Sequence, residues 1–203
     1  MDKHEVRFFR TDGGTEPARD WLRELPAIDR KTIGEDIKTV QFGWPLGMPL
    51  VRKMDKDLWE VRIHLENRIA RVLFTISNGM IVARLHQKIP DYTEAGSEIG
   101  NRQNEERIMK AKNIGSSFDD FLSEEAMLDE ATAVAVKRVI AWQIDQEMKA
   151  QNLTKTAMAK KMHTSRAALN RLLDATDTSL TLTTLSSAAS VLGKKFRIEL
   201  ESA

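Results

Sequence analysis

The chain has 203 residues, of which 41% are hydrophobic and 30% charged, with a formal net charge of +1 and no cysteine. That length accommodates two domains of roughly 100 residues each. The missing cysteines exclude a disulfide framework, thiolate metal ligation and a cysteine nucleophile. No apolar run approaches the ~18 residues of a membrane span, and the polar opening MDKHE carries no signal peptide, so a cytoplasmic protein without membrane contact is expected.

Residues 4–10 (HEVRFFR) alternate Val6 and Phe8 against Glu5 and Arg7, the period of a strand. Asp12-Gly13-Gly14 turns the chain, and Thr15 is placed to cap a helix that opens with Glu16 and Pro17. That helix carries Trp21, Leu22 and Leu25 and stops at Pro26. A second helix follows, with Ile28, Ile33, Ile37 and Val40 spaced to make one apolar face. After an apolar loop broken by Gly and Pro (residues 41–49), strands are predicted at 50–54, 58–65, 68–77 and 80–85. Glu66-Asn67 and Asn78-Gly79 stand where tight hairpin turns belong. The hairpin connections predict an α+β fold for this half, an antiparallel β-α-α-β-β-β sheet with both helices on one face.

Residues 87–112 (QKIPDYTEAGSEIGNRQNEERIMKAK) have neither a 2 nor a 3.6 period and carry Pro90, Gly96 and Gly100. Such a stretch cannot bury enough apolar surface to offset its chain entropy and reads as a linker. Near its end, Met109 could itself start a protein. The division expected is a first domain over 1–88, a linker over 89–112 and an all-helical second domain over 113–203.

Past the linker, Ser117-Phe118-Asp119-Asp120 has the form of a helix cap. The acidic helix it opens, with Phe118, Phe121 and Leu122, is expected to dock on the first domain, its carboxylates meeting arginines there. A longer helix is predicted over about 131–151, with Val136, Val139, Ile140 and Ile144 on one side and Asn152 as its stop. Thr154 and Ser165 can cap two short helices, and Leu182, Leu185, Ala189 and Leu192 mark one more, closed by Gly193. Residues 196–200 (FRIEL) alternate like a strand. Residues 109–133 hold two Lys against six Asp and Glu, whereas 134–203 hold eleven Lys and Arg against six. An acidic lead-in followed by a basic module points to a polyanionic partner for the latter.

Residues 154–174 (TKTAMAKKMHTSRAALNRLLD) have the spacing of a helix-turn-helix, two capped helices about three residues apart. On the second helix Leu169, Leu172 and Leu173 cluster on one side, and Arg166, Ala167, Asn170 and Arg171 occupy the other. Those side chains suit base edges and phosphates at the N-terminal end of a helix entering the major groove. The competing reading is an ordinary bundle helix whose solvent face happens to be basic. This segment, with its continuation TLTTLSSAASVLGKKFRIEL, resembles the HigA-type antitoxins of the Xre helix-turn-helix family over residues 109–203. The resemblance implies a homodimer that binds operator DNA and represses its own operon. It places Thr164, Ser165, Arg166, Asn170 and Arg171 at the DNA, with Lys155 at the start of the preceding helix.

In the first half, LWEVR (58–62) and RIARVLF (68–74) put arginines on strands that are otherwise apolar. A ribonuclease working without metal needs cations for the transition state and groups to move protons. Arg62, Arg71 and Lys53 could supply charge, and His86 proton transfer. The alternative is a solvated sheet face in which these residues pair across strands with Glu60 and Glu66. Residues 29–76 are similar to the HigB-type toxins of the RelE superfamily, the branch often labelled phage-derived Gp49-like. That likeness, over roughly 4–86, implies cleavage of mRNA on the ribosome with no metal and no cofactor. The family continues after this point with a basic strand of the form GFxKKxQKTP, whereas this chain reads QKIPDYTEAGSEIG. A shift of reading frame near the toxin's end would produce such a change, and it removes part of the expected active-site charge and leaves a sheet edge unpaired.

The leading expectation is therefore a fused toxin–antitoxin protein, a DNA-binding autorepressor joined to an impaired mRNA-interferase domain with an intramolecular contact between the halves. One alternative is an active ribosome-dependent endonuclease inhibited by its own C-terminal half. Another is a transcriptional regulator whose N-terminal domain only senses or dimerises. His4, His64, His86 and His163 lack the spacing of metal ligands.

Overall fold

The computed structural model describes residues 4–77, 79–85 and 113–197. They belong to two compact units, Met1–Thr132 and Ala133–Ala203.

The first unit is built on a six-stranded sheet in the order β2-β3-β4-β5-β1-β6. β1 (Glu5–Phe9) leads to α1 (Pro17–Glu24) and α2 (Ala27–Gly43). Then come β2 (Val51–Asp55), β3 (Leu58–His64), β4 (Ile69–Ser77) and β5 (Met80–Leu85), joined as an antiparallel meander. The α+β class is as the sequence predicted, but the sheet is mixed: β1 runs parallel to β5, with Val6 opposite Ile81. Hairpins force neighbouring strands to alternate, but β1 is joined to β2 through two helices, and a crossover of that length leaves its direction free.

Val6, Phe8, Val61, Ile63, Ala70, Val72, Phe74, Ile81 and Ala83 project from one face of the sheet into a core with Leu22 of α1 and Ile33, Ile37 and Val40 of α2. Trp59 stacks on Phe74 at 5.8 Å while Trp44 meets both edge-on, which closes the β3–β4 end of that core. Two local expectations fail. Ile28 is 74% exposed, because the buried stripe of α2 starts a turn later. Thr15 does not cap α1: Glu16 holds that position without a side-chain cap, and the Thr15 hydroxyl pairs instead with Thr11 at 2.7 Å. The end of α1 is as expected, since Leu25 precedes a proline and is driven extended (φ −78°, ψ 153°).

A sixth strand, β6 (Ile114–Ser117), pairs antiparallel with β1 and leads directly into α3 (Phe118–Glu124). Nothing in the local pattern marks this strand, for IGSS is short and alternates nothing. It corrects the expectation of an unpaired edge beside β5. That strand is flanked by β4 and β1, and the far edge of β1 is taken by β6. Gly115 is required by close approach: a Cβ there would lie 2.8 Å from the Phe8 carbonyl oxygen. α3 does dock on this unit. Ser117 accepts from the amides of Asp119 and Asp120, and Phe118, Phe121 and Leu122 are completely buried. The Phe8 ring meets both phenylalanines edge-on at 5.6 Å, and Leu122 packs beside Gly34. Around that apolar contact, Lys38 pairs with Asp119 at 2.8 Å, Arg19 and Arg23 with Glu124, Arg30 with Glu125 and Lys31 with Glu130.

α4 (Leu128–Ala150) gives its first turn to the first unit and the rest to the second. The second unit adds α5 (Lys155–Lys161), α6 (Arg166–Leu173) and α7 (Leu182–Val191). Its core is Ile144 and Met148 of α4 against Met158, Ala159, Met162, Leu169, Leu172, Leu185, Ala188 and Leu192. Met158 and Met162 fill this core, and Trp142 is 41% exposed. Asn152 (φ 53°) reverses the chain after α4 and Gly193 (φ 69°) after α7, both in the left-handed conformation the sequence pattern called for. Phe196 and Arg197 form no strand, and the remainder of that predicted strand, 198–200, lies outside the described residues, as do His86 and the 87–112 stretch.

Candidate functional site

Two surfaces carry candidate functional side chains, one in each unit. In the first, alternation along β2, β3 and β4 sets Arg52, Glu60, Arg62 and Arg71 on the sheet face opposite the helices. Arg62 and Arg71 stand directly across from each other, an arrangement that is repulsive unless a counter-charge is supplied. Glu60 supplies it. Its carboxylate has no exposed surface and lies 3.2 Å from an Arg71 guanidinium nitrogen and 3.4 Å from Arg62 Nε. Two guanidinium groups thus share one carboxylate, fixed in place with a net positive charge and each about a quarter exposed. A buried carboxylate cannot reach a substrate hydroxyl, so the role open to Glu60 is to orient the arginines.

Of the three described residues predicted for catalysis, Arg62 and Arg71 are brought together and Lys53 is not. Lys53 is placed opposite Trp59 and shares the helix-side face, so the residue of β2 that joins the arginines is Arg52, opposite Glu60. His86 lies outside the described residues. His64, two residues beyond Arg62 on β3, is exposed and falls on the arginine face by alternation. The sequence reading treated Glu60 only as a cross-strand partner and missed its burial. The signal was a lone carboxylate between Trp59 and Val61 with an arginine two residues on.

In the second unit, Thr154 caps α5 by accepting from the Ala157 amide, and Ser165 caps α6 by accepting from Ala168. His163 takes a positive φ of 51° in the turn between them. α6 presents Leu169 and Leu172 to the core and leaves Arg166, Ala167, Asn170 and Arg171 exposed. Ser165 and Lys155 are exposed, and Thr164 is half-buried in the turn. The six residues predicted to meet DNA therefore lie on α6, the turn before it and the start of α5, with hydroxyls and guanidinium groups available at the N-terminal end of α6.

The other end of α6 is held from α4. Lys137 is 2% exposed, and its ammonium donates to the carbonyl oxygens of Arg171 at 3.0 Å and Asp174 at 2.6 Å. Burial pushes the Lys137 amine below its usual range, opposed by the charges of Asp177 and Asp174. Asp174 and Asp177 are themselves held below the usual carboxylate range by hydrogen bonds from Thr176 and Ser179. Sequence reasoning passed over Lys137, although its spacing from Ala141, Ile144 and Met148 puts it on the buried stripe of α4.

Residues 20–89 match the family described as Phage derived protein Gp49-like (DUF891), and residues 144–198 match the family described as Helix-turn-helix. The chain carries a Gp49-like region followed by a helix-turn-helix. That is the order of a toxin fused to a helix-turn-helix antitoxin, as the resemblance read from the sequence anticipated. β6, α3 and residues 128–143 of α4 fall between the two matched stretches. No curated protein and no solved structure matches the chain. The two matched regions together support a toxin–antitoxin-like regulator with a DNA-binding helix-turn-helix, and among the described residues no helix is long and apolar enough to cross a membrane.

Proposed function

We propose that the chain is a fused HigB–HigA-type protein of the cytoplasm, which represses its own operon as a homodimer and whose toxin-derived half is an impaired mRNA interferase. In this reading residues 1–88 descend from the toxin, 113–203 from the antitoxin, and 89–112 join them. The observation that carries it is α6: a Ser165-capped helix with Leu169 and Leu172 buried and Arg166, Asn170 and Arg171 exposed on the opposite side. Side chains of these types read guanine, adenine and phosphate when such a helix enters a major groove.

The impairment rests on the first unit. Arg62 and Arg71 share the buried Glu60, Lys53 stands on the other face, and the basic ending of the toxin family is replaced after His86. Metal-free phosphodiester cleavage depends on several cations and a proton donor acting together, and such sets lose activity steeply when one member goes. The docked β6–α3 segment is the intramolecular toxin–antitoxin contact of this reading. The test is a gel shift on the duplex immediately upstream of the reading frame. The whole chain should retard it specifically, and the Arg166→Ala/Asn170→Ala variant should not. A specific shift that survives both substitutions would move the DNA contact to another element.

A further inference from the structure

We infer that Lys137 is a positioning residue for DNA recognition, which sets the angle of α6 by clamping its C-terminal carbonyls to α4; this rests on the DNA-binding reading above. Lys137 lies outside the stretch that matches the helix-turn-helix family and on the long helix rather than on either helix of the motif. Its ammonium is buried, yet among the described residues it makes no ion pair at hydrogen-bond distance. Both of its hydrogen bonds go to main-chain oxygens at one helix end, those of Arg171 and Asp174. Burying an amine in a small unit is costly unless its hydrogens are used, and here they are spent on a single purpose.

The geometry explains what that purpose would be. The last carbonyls of a helix lack their usual partners four residues on, and the Arg171 oxygen here accepts, besides Lys137, only a long 3.3 Å bond from the Asp174 amide. A cation there is favourable both as donor and against the helix dipole. α6 has eight residues, about two turns. Its N-terminal end is capped by Ser165, and its apolar side is held by Leu169 and Leu172, with Leu173 partly buried against the same core. The Lys137 contact adds a polar attachment at the opposite end from Arg166. A side chain at Arg166 or Asn170 discriminates bases only when held to hydrogen-bond tolerance, whereas phosphate contacts survive small tilts. Lys137 should therefore govern specificity more than affinity for DNA at large. Its second attachment, to Asp174, also anchors the loop that leaves α6.

The test uses the whole chain, a labelled duplex of the DNA immediately upstream of the reading frame, and a scrambled duplex of the same composition. Lys137→Met keeps the volume and the apolar stem and deletes the donors. It should lower the ratio of upstream to scrambled affinity about tenfold, the scale of one misplaced base contact. A loss caused only by partial unfolding would weaken both duplexes by the same factor and leave the ratio unchanged, which would overturn the inference. Lys137→Gln retains a shorter amide donor and should fall between wild type and Lys137→Met. If Lys137→Met does not fold, Lys137→Gln alone decides, by a lowered or an unchanged ratio. Should the wild-type chain prefer neither duplex, the DNA-binding reading itself has failed, an outcome distinct from an unchanged ratio in a chain that does discriminate.

Discussion

Replacing Phe121 with Ala tests whether α3 belongs to the core of the first unit or merely rests on it. The ring is fully buried, edge-on to Phe8 at 5.6 Å and stacked with Phe118 at 6.1 Å. Withdrawing ~150 Å² of apolar surface at ~25 cal/mol per Å² costs about 4 kcal/mol, and the lost edge contact with Phe8 adds up to about 1 kcal/mol. That agrees with the ~3–5 kcal/mol typical of core Phe→Ala changes. The ion pairs around the same helix weigh far less. Glu124 and Arg23 are half-exposed, and such pairs contribute about 0–1 kcal/mol each. The apolar contact therefore decides the docking and the charges set its orientation. The assay is urea unfolding of the whole chain followed by tryptophan fluorescence in a Trp142→Phe background, where Trp21, Trp44 and Trp59 report on the first unit alone. At a slope of about 2 kcal/mol per M, Phe121→Ala should lower the midpoint by about 2 M, and Glu124→Ala by less than about 0.5 M. Equal shifts for the two variants would refute the claim that α3 completes this core.

Asp119→Ala takes the carboxylate away from the buried Lys38 ammonium and should cost about 3 kcal/mol, whereas the double change Lys38→Met/Asp119→Leu should recover most of it, read by the same unfolding curves. Glu16 gives a pH dependence. Burial works to raise its pKa, but hydrogen bonds from the Ser116 side chain and backbone and from Arg10 outweigh that and hold it below the usual 4.5. A depressed carboxylate pKa means that its stabilisation is fully present above the unfolded value and is lost as pH falls through the folded one. Glu16→Gln should accordingly cost about 1–3 kcal/mol at neutral pH, with wild type and variant converging as pH falls below 4.5 and through the depressed folded value. A gap that widens in acid would contradict the assignment.

Most of the fold was legible because its elements announce themselves locally. Strand alternation at Val6 and Phe8, the proline after Leu25, the caps at Ser117, Thr154 and Ser165, and the stop glycine at 193 are all short-range signals. What was not legible depends on long-range partners. β6 is a strand only because the free edge of β1 and a glycine at 115 let it approach, and nothing in IGSS says so. The direction of β1 was hidden by the two-helix crossover. On the candidate sites, α6 could be read from caps and periodicity, since a two-sided helix reveals its exposed face. Glu60 and Lys137 could not be placed by composition, because a charged residue on an apolar stripe counts as surface until its partner is seen. The register of β2 against β3, which sends Arg52 and not Lys53 to the arginine face, is likewise a property of the pairing and not of either strand.

The packing also changes which fragment of the chain is informative. A piece ending at 108 would lack β6 and the three buried side chains of α3, so its silence in a growth assay would report a broken core rather than a weak catalyst. Residues up to Thr132 are the smallest piece that keeps the first unit whole.

DNA binding through α6 by a homodimer is read most directly by footprinting the whole chain on the DNA upstream of its reading frame. Two symmetric protected half-sites, with centres about 34–36 Å apart or a multiple of that, are expected, and Arg166→Ala/Asn170→Ala should erase them. Protection of one unpaired site, or a footprint that survives the double substitution, would contradict it.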